Sequence, residues 1–283
     1  MTIKLGVFTV SMPDYEPLDA LDKLKEIGYD GAEWRVTEDT GDKENPSFWG
    51  GNRTTLTAEE LIEKADDMKA KCTELGLEIP SLGTYINAQD TDRIEISMKA
   101  AAAVGAKNLR IGPGGYKPEN GIYPEQVKKV RKLYTEISKQ AREFGVRDVI
   151  ETHMGQLCPT VTKALRVLDG LDPETVGIMW DPGNQVVEGR EVYRMAIEEA
   201  GPYLAEVHAK NLKWEPVEIL EGRQTWRTVS CPITEGCADW IEVVSTLKDV
   251  GYDGWILFED FSTDIPLDQR LKNNHDWFRE LIS

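Results

Sequence analysis

Imidazoles and thiols are scarce in this 283-residue chain, which has three histidines and four cysteines. The cysteines (Cys72, Cys158, Cys231 and Cys237) form no CxxC pair. A chain this long holds a core without disulfide staples, so free thiols and a cytoplasmic location are expected. Positive charge is also short: 33 Lys and Arg against 50 Asp and Glu leave a formal net charge of −17. That balance excludes the basic footprint that nucleic-acid phosphates require and gives an anionic membrane surface nothing to attract. No apolar run approaches the roughly 20 residues of a membrane-spanning helix. The opening "MTIKLGVFTV" lacks the long apolar segment and small-residue cleavage site of a secretory leader, and reads as a first strand. No Pro/Ser-rich linker divides the chain, so one domain over residues 1–283 is expected.

What is present is a repeated grammar. "PLDALDKLKEIG" spaces Leu18, Leu21, Leu24 and Ile27 three apart, the stripe of an amphipathic helix, and a glycine ends it. A short apolar strand follows. The same order returns in "EELIEKADDMKAKCTELG" then "LEIPSLGTY", in "ISMKAAAAVG" then "AKNLRIGP", and in "VKKVRKLYTEISKQAREFG" then "VRDVIETH". It continues through "VTKALRVLDGL" then "TVGIMWDP", "VYRMAIEEAGPYL" then "AEVHAKN", and "WIEVVSTLKDVG" then "WILFEDF", with a closing helix from about Pro266. With "IKLGVFTV" this makes eight strands alternating with eight helices. Right-handed crossovers between parallel strands, eight times in about 250 residues, predict a (β/α)8 TIM barrel. A doubly wound open sheet would carry a Gly-rich phosphate loop after the first strand, and "FTVSMPDYEP" has none. The tetrapeptide Gly-Tyr-Asp-Gly, at Gly28 and again at Gly251, falls at helix-to-strand turns on the barrel floor.

Strands five to eight each end on a metal-ligating residue: Glu151 in "DVIETH", Asp181 in "IMWDPGN", His208 in "AEVHAKN" and Glu259 in "ILFEDF". Strands lie about 4.8 Å apart, so four such side chains converge on one ion. A carboxylate at a strand end also caps a following helix, and "DPGN" alone is an ordinary Asp-Pro turn; one ligand on each of four consecutive strands is harder to assign to capping. Three carboxylates and one imidazole form a hard set, suited to Mn²⁺ first and also to Mg²⁺, Co²⁺ or Zn²⁺.

With this Glu, Asp, His, Glu series the sequence resembles the xylose isomerase-like TIM-barrel superfamily over nearly its whole length. That group includes ketose 3-epimerases, inosose dehydratases and endonuclease IV-type nucleases. The resemblance implies a divalent metal on Glu151, Asp181, His208 and Glu259, with Glu151 and Glu259 also handling a proton. It implies a small carbohydrate substrate and leaves a homo-oligomer open. The nuclease branch uses several zinc ions and many histidines, which the composition excludes.

Alternation adds neighbours facing the same way. His153, two beyond Glu151, reads as a general acid/base or a polar neighbour of a ligand. Lys210, two beyond His208, reads as a fixed charge for a substrate oxyanion or as a partner of a ligand carboxylate. Asn184 stands where epimerases of this group often carry a substrate-binding histidine. Glu33 and Arg110 are further substrate-contact candidates, Glu33 with a structural ion pair as the alternative. His275 reads as a surface residue. Two long insertions, "TEDTGDKENPSFWGGNRTTLT" after strand two and "LKWEPVEILEGRQTWRTVSCPITEG" after strand seven, read as binding loops. Within them Trp49, Trp214 and Trp226 are candidates to stack on a sugar, or to pack the loops, and Arg227 to bind a substrate anion.

The chemistry expected is isomerisation or epimerisation through an enediolate, the two glutamates moving the proton. Loss of a hydroxyl from the next carbon, assisted by His153, would make the chain a dehydratase; "ETHMGQ" is similar to the "HMG" stretch of inosose dehydratases. A non-catalytic sugar-binding barrel, or a subunit of a larger enzyme, is the third reading.

Overall fold

A computed structural model describes residues 2–283. Its strands are β1 (Lys4–Phe8), β2 (Gly31–Val36), β3 (Ser81–Asn87), β4 (Asn108–Gly112), β5 (Arg147–Glu151), β6 (Val176–Trp180), β7 (Leu204–Ala209), β8 (Leu212–Leu220), β9 (Arg223–Ser230) and β10 (Trp255–Phe258). The helices are α1 (Pro17–Ile27), α2 (Ala58–Glu63), α3 (Ala65–Leu75), α4 (Thr91–Val104), α5 (Tyr123–Phe144), α6 (Val161–Leu168), α7 (Pro182–Gln185), α8 (Tyr193–Ala200), α9 (Trp240–Asp249) and α10 (Leu267–Ile282). Strands β1 to β7 and β10 pair in parallel and close on themselves, β1 lying between β10 and β2. This is the eight-stranded barrel that the repeat predicts, with the helices outside.

Local chemistry sets the elements. Helix α1 begins with Pro17 at its first turn and ends on Gly28, whose φ of 110° belongs to the left-handed region that glycine enters without steric cost. Helix α5 buries Val127, Val130, Tyr134, Ile137 and Ala141, the three-and-four spacing of one face. The helix expected over "EELIEKADDMKAKCTELG" is two: Lys64, at φ −93° and ψ 1°, breaks it into α2 and α3. Buried Leu61, Ala65, Met68 and Cys72 keep a helical rhythm across the break, so periodicity gives no sign of it.

The repeated Gly-Tyr-Asp-Gly turn closes the barrel. Asp30 accepts the N–H of Leu5 at 2.8 Å, and Asp253 accepts that of Thr2 at 2.9 Å. Each turn thus fastens one neighbour of β1, β2 on one side and β10 on the other. His275, expected at the surface, is buried. It lies against this floor, its Nε2 3.1 Å from the carbonyl oxygen of Gly28 and its ring 5.1 Å from that of Tyr29. A helix read from sequence alone gives no hint that its polar residue will meet a distant turn.

The insertion after β7, expected as a loop, is an antiparallel hairpin. β8 and β9 join through Glu221 and Gly222, both at positive φ (51° and 78°), a two-residue turn whose twist suits a hairpin.

Candidate metal centre

Glu151 is the last residue of β5 and His208 the last but one of β7; Asp181 and Glu259 follow β6 and β10 directly. One ligand atom from each of these four lies within 4.8 Å of all the others, and all four residues are buried. Asp181 also starts α7, its Oδ1 accepting the N–H of Asn184 at 2.9 Å, so the capping reading and the cluster reading hold together.

The histidine is oriented by Glu33. His208 Nε2 lies 2.6 Å from Glu33 Oε2, and both side chains are fully buried. A carboxylate oxygen accepts, so Nε2 carries the proton. His208 Nδ1, buried without a hydrogen-bond partner, lies 3.9 Å from Glu151 and 3.8 Å from Glu259. An orphaned imidazole nitrogen aimed at carboxylates is what a metal site of this donor set requires. Glu33, read by sequence as a substrate contact or a structural ion pair, meets the imidazole. Room for the ring of Phe8 beside it comes from Gly83, where a Cβ would lie 2.4 Å from the phenyl ring.

Three further candidates are engaged in the same network. Arg110 Nη1 donates to Glu151 Oε2 at 2.6 Å, while its Nε bonds the Thr84 carbonyl. Asn184 Nδ2 donates to Glu151 Oε1 at 2.9 Å and to Asp181 Oδ2 at 2.8 Å, tying two carboxylates together. Lys210 Nζ lies 2.9 Å from Asp181 and 3.9 Å from Glu151, and donates to Glu259. Read from sequence as substrate contacts, Arg110 and Asn184 turn their polar groups to the carboxylates of the cluster. Lys210, read as a charge for a substrate oxyanion or a partner of a ligand carboxylate, pairs here with the carboxylates.

Charge follows from this packing. Burial raises the Glu151 carboxyl, but Arg110, His153 and Lys210 outweigh it and bring it down to about 2. Burial likewise opposes ionisation of Glu259, and Lys210 and His208 hold it well below the usual carboxylate range. Asp181 goes the other way: burial pushes it up to about 6 despite Lys210, with Glu151 and Glu259 adding repulsion. Four carboxylates (Glu33, Glu151, Asp181, Glu259) face two fixed cations (Lys210, Arg110) and the His208 imidazole. Burial opposes charging of that ring, but Glu33 and Glu259 push its pKa well above the ordinary value; a divalent ion at Nδ1 would supply positive charge in place of that proton.

His153 is half-buried at the mouth, its Nδ1 2.7 Å from the carbonyl oxygen of Met154. That carbonyl accepts, leaving Nε2 with the lone pair in the neutral ring. The sequence reading missed an aromatic wall. Tyr85 and Phe261 flank the mouth, the Arg110 guanidinium 4.7 Å from the Tyr85 ring and the Lys210 ammonium 5.8 Å from Phe261. Phe261 stands two beyond Glu259, so the alternation that picked out Lys210 would have found it. Trp49 lies 4.9 Å from Phe261 and 6.4 Å from Tyr85, which brings the first insertion over the wall. Trp214, Trp226 and Arg227 are elsewhere. They are exposed on the hairpin, Arg227 pairing with Glu215 at 3.3 Å, and no hydrogen bond or ring contact joins them to the cluster among the described residues. A cavity of 1060 Å³ opens at the opposite end of the barrel beside Lys4, Tyr252 and Trp255, so volume alone would misplace the chemistry.

Asp39 fastens the first insertion. It accepts the N–H groups of Gly41 (2.9 Å), Gly51 (2.7 Å) and Asn52 (3.0 Å) and pairs with Arg35 at 3.1 Å. Burial raises its carboxyl, but these donors outweigh it and hold it below the ordinary value. A lowered folded-state pKa contributes stability above the unfolded value, near 3.9, and loses it as pH falls through the folded value. Asp39→Ala is therefore expected to speed limited proteolysis within residues 40–55 at neutral pH, with the far-UV CD unchanged. The wild type should reach that state only below about pH 4. Equal cleavage rates at neutral pH would remove Asp39 as the fastening.

The family model described as xylose isomerase-like TIM barrel matches residues 21–281. An inosose dehydratase of Bacillus anthracis is 26% identical over 129 residues, which is 44% of this chain and 43% of that protein. The chain thus matches less than half the length of that curated relative. A solved 3-keto-D-glucoside 4-epimerase from E. coli superposes over 99% of this chain and 100% of its own, with a TM-score of 0.72 at 17% identity. The IOLI protein, solved with a bound zinc atom, does so over 99% and 98%, with a TM-score of 0.75 at 15% identity. No helix among the described residues is long and apolar enough to cross a membrane.

Proposed function

This chain belongs to the xylose isomerase-like TIM-barrel family, and from that premise we propose that it is a divalent-metal-dependent isomerase or epimerase of a keto-sugar or related polyol. The observation that carries this reading is the buried Glu151, Asp181, His208 and Glu259 cluster, with the unpartnered Nδ1 of His208 facing its carboxylates. These four residues would hold the ion, and the hard donor set favours Mn²⁺. When bound, such an ion supplies Lewis-acid stabilisation of the charge that develops as a proton leaves carbon beside a carbonyl.

The chain's own residues do the rest. Glu151 has both oxygens occupied, Oε1 by Asn184 and Oε2 by Arg110, which fixes its plane and keeps it ionised. Glu259 is held through Oε2 by Lys210, leaving Oε1 without a hydrogen-bond donor among the described residues and free to take or return a proton. Two carboxylates on β5 and after β10 address the substrate from different sides, as moving a proton between faces or between carbons requires. The wall of Tyr85, Phe261 and Trp49 offers an apolar surface to the C–H face of a sugar.

A dehydratase is the second reading, and His153 favours it. Its Nε2 is the nitrogen left free at the mouth; the curated relative is an inosose dehydratase. Proton NMR of candidate ketoses and inososes in D₂O with Mn²⁺-loaded protein separates the readings. Deuterium uptake beside the carbonyl with the carbon skeleton and hydroxyls kept is the result expected. Loss of water to an enone-type product would establish the lyase, and binding without either would leave a non-catalytic barrel.

A further inference from the structure

We infer that the cavity at the floor of the barrel is a second ligand site, which takes a small organic anion. Its oxyanion head would sit on Arg147 and Lys107, and its apolar body against Trp255 and Pro80. The site lies at the opposite end from the metal cluster and stands whether or not the proposed activity does. A barrel of this kind is ordinarily filled by bulky branched side chains. Here alternation, counted down from Phe8, Arg110, Glu151 and Glu259, turns Lys4, Asn108, Arg147 and Trp255 inward at the floor. Glycines stand at two more positions of that layer. A Cβ at Gly31 would lie 2.9 Å from the Trp255 ring, and one at Gly177 2.6 Å from Arg147 Nε. The layer is therefore polar and unfilled, and it opens into a cavity of 1060 Å³, the size of a small-molecule site.

Charge says what the cavity takes. The chain as a whole has 33 basic residues against 50 acidic, yet the cavity lining has four against three. Lys4 is engaged by Glu78 and Lys69 by Asp66, whereas Lys107 and Arg147 form no salt bridge among the described residues. Arg147 is half-buried and donates only to backbone carbonyls, Nε to Val176 at 3.3 Å and Nη2 to Pro202 at 2.8 Å. Its Nη1 is left without an acceptor and is not sealed from solvent. The carboxylates that bear on it are Glu206, Glu174 and Asp172. Glu206 is held by Ser81 and Asn108, each at 2.8 Å, and Asp172 by Arg142 at 2.6 Å; Glu174 is beyond salt-bridge reach. Burial lowers the Arg147 pKa, as it does for a cation short of counter-charge.

The two free cations share one rim. The Lys107 carbonyl accepts the Arg147 N–H at 2.7 Å, and Arg147 pairs in register with the next residue, Asn108. A buried charge ordinarily has a partner, and an oxyanion supplies one that the planar guanidinium matches. Ile79, Pro80, Leu204 and the Trp255 ring line the same cavity, so the anion that fits carries an apolar body.

Titration calorimetry on the full chain, with and without Mn²⁺, tests this with benzoate, phenyl phosphate and inorganic phosphate. The metal-free arm excludes an anion bound to the ion. Benzoate or phenyl phosphate is expected to bind in both arms with a Kd of about 1 mM or tighter, the stronger of the two identifying the head. Inorganic phosphate lacks a body and should bind at least about tenfold more weakly than phenyl phosphate. Arg147→Met and Lys107→Glu should each weaken the organic anion at least about tenfold. Lys107 is exposed, so its variant keeps the test decisive if Arg147→Met fails to fold. Glu259→Gln, at the other end, should leave the affinity unchanged. Four results would each overturn the inference: neither organic anion binding at about 10 mM, inorganic phosphate binding as tightly as phenyl phosphate, an affinity that Lys107→Glu leaves untouched, or one that Glu259→Gln abolishes. The first three leave the metal reading where it stands.

Discussion

Glu259→Gln is expected to lower turnover by about a thousandfold or more, within the range that general acid–base groups contribute. The amide keeps the shape of the side chain and loses both its negative charge and its ability to carry a proton. Lys210, which Glu259 shares with Asp181, would still have Asp181 at 2.9 Å, so the fold should survive. Glu151→Gln should be comparably inactive for a less clean reason. Both oxygens of Glu151 accept, one from Arg110 and one from Asn184. An amide has one accepting oxygen, so one of those donors would face an N–H₂ group and the pocket would lose stability as well as charge. Steady-state kinetics at saturating Mn²⁺, with calorimetric titration of the metal, distinguishes lost proton transfer from lost ion. Near-normal rates in Glu259→Gln would end its assignment as the proton carrier, whatever the metal affinity.

Glu33→Gln should weaken metal binding by about 10- to 100-fold, the usual cost of disturbing the partner of a ligating histidine. Glu33 touches none of the three ligand carboxylates in the hydrogen-bond network; its effect would pass through His208 Nε2 at 2.6 Å. The carboxylate can only accept, and so dictates which imidazole nitrogen keeps its lone pair. A glutamine offers an acceptor or a donor in the same volume, and the wrong orientation would turn His208 Nδ1 into an N–H facing Glu151 and Glu259. Titration calorimetry with Mn²⁺ reads the change, and an unaltered CD spectrum separates it from unfolding. Unchanged affinity would mean that His208 keeps its lone pair toward the carboxylates without Glu33.

Much of this was legible along the chain because it is periodic. Eight helix–glycine–strand units announce a barrel, and a strand's two-residue alternation tells which side chains share the axis. Those local rules suffice to bring Glu151, Asp181, His208 and Glu259 to one end. Partner choice is not periodic. Glu33 on β2 and His208 on β7 stand 175 residues apart and meet only across the closed barrel, while Arg110 and Glu151, 41 apart, meet because β4 and β5 pair; neither contact lies within a window of local sequence. The same holds for His275, whose carbonyl partner is 247 residues away.

The sequence by itself determined the alternating elements, the parallel closed sheet and the residues at the rim that carries the cluster, since these follow from backbone geometry and side-chain period. Tertiary structure alone decided that Glu33, Arg110, Asn184 and Lys210 serve the cluster, and that the second insertion is a hairpin facing solvent. The physical reason is that a buried charge takes whatever partner lies within hydrogen-bond reach, and that distance exists only once the strands have paired and, for Glu33 and His208, once the barrel has closed.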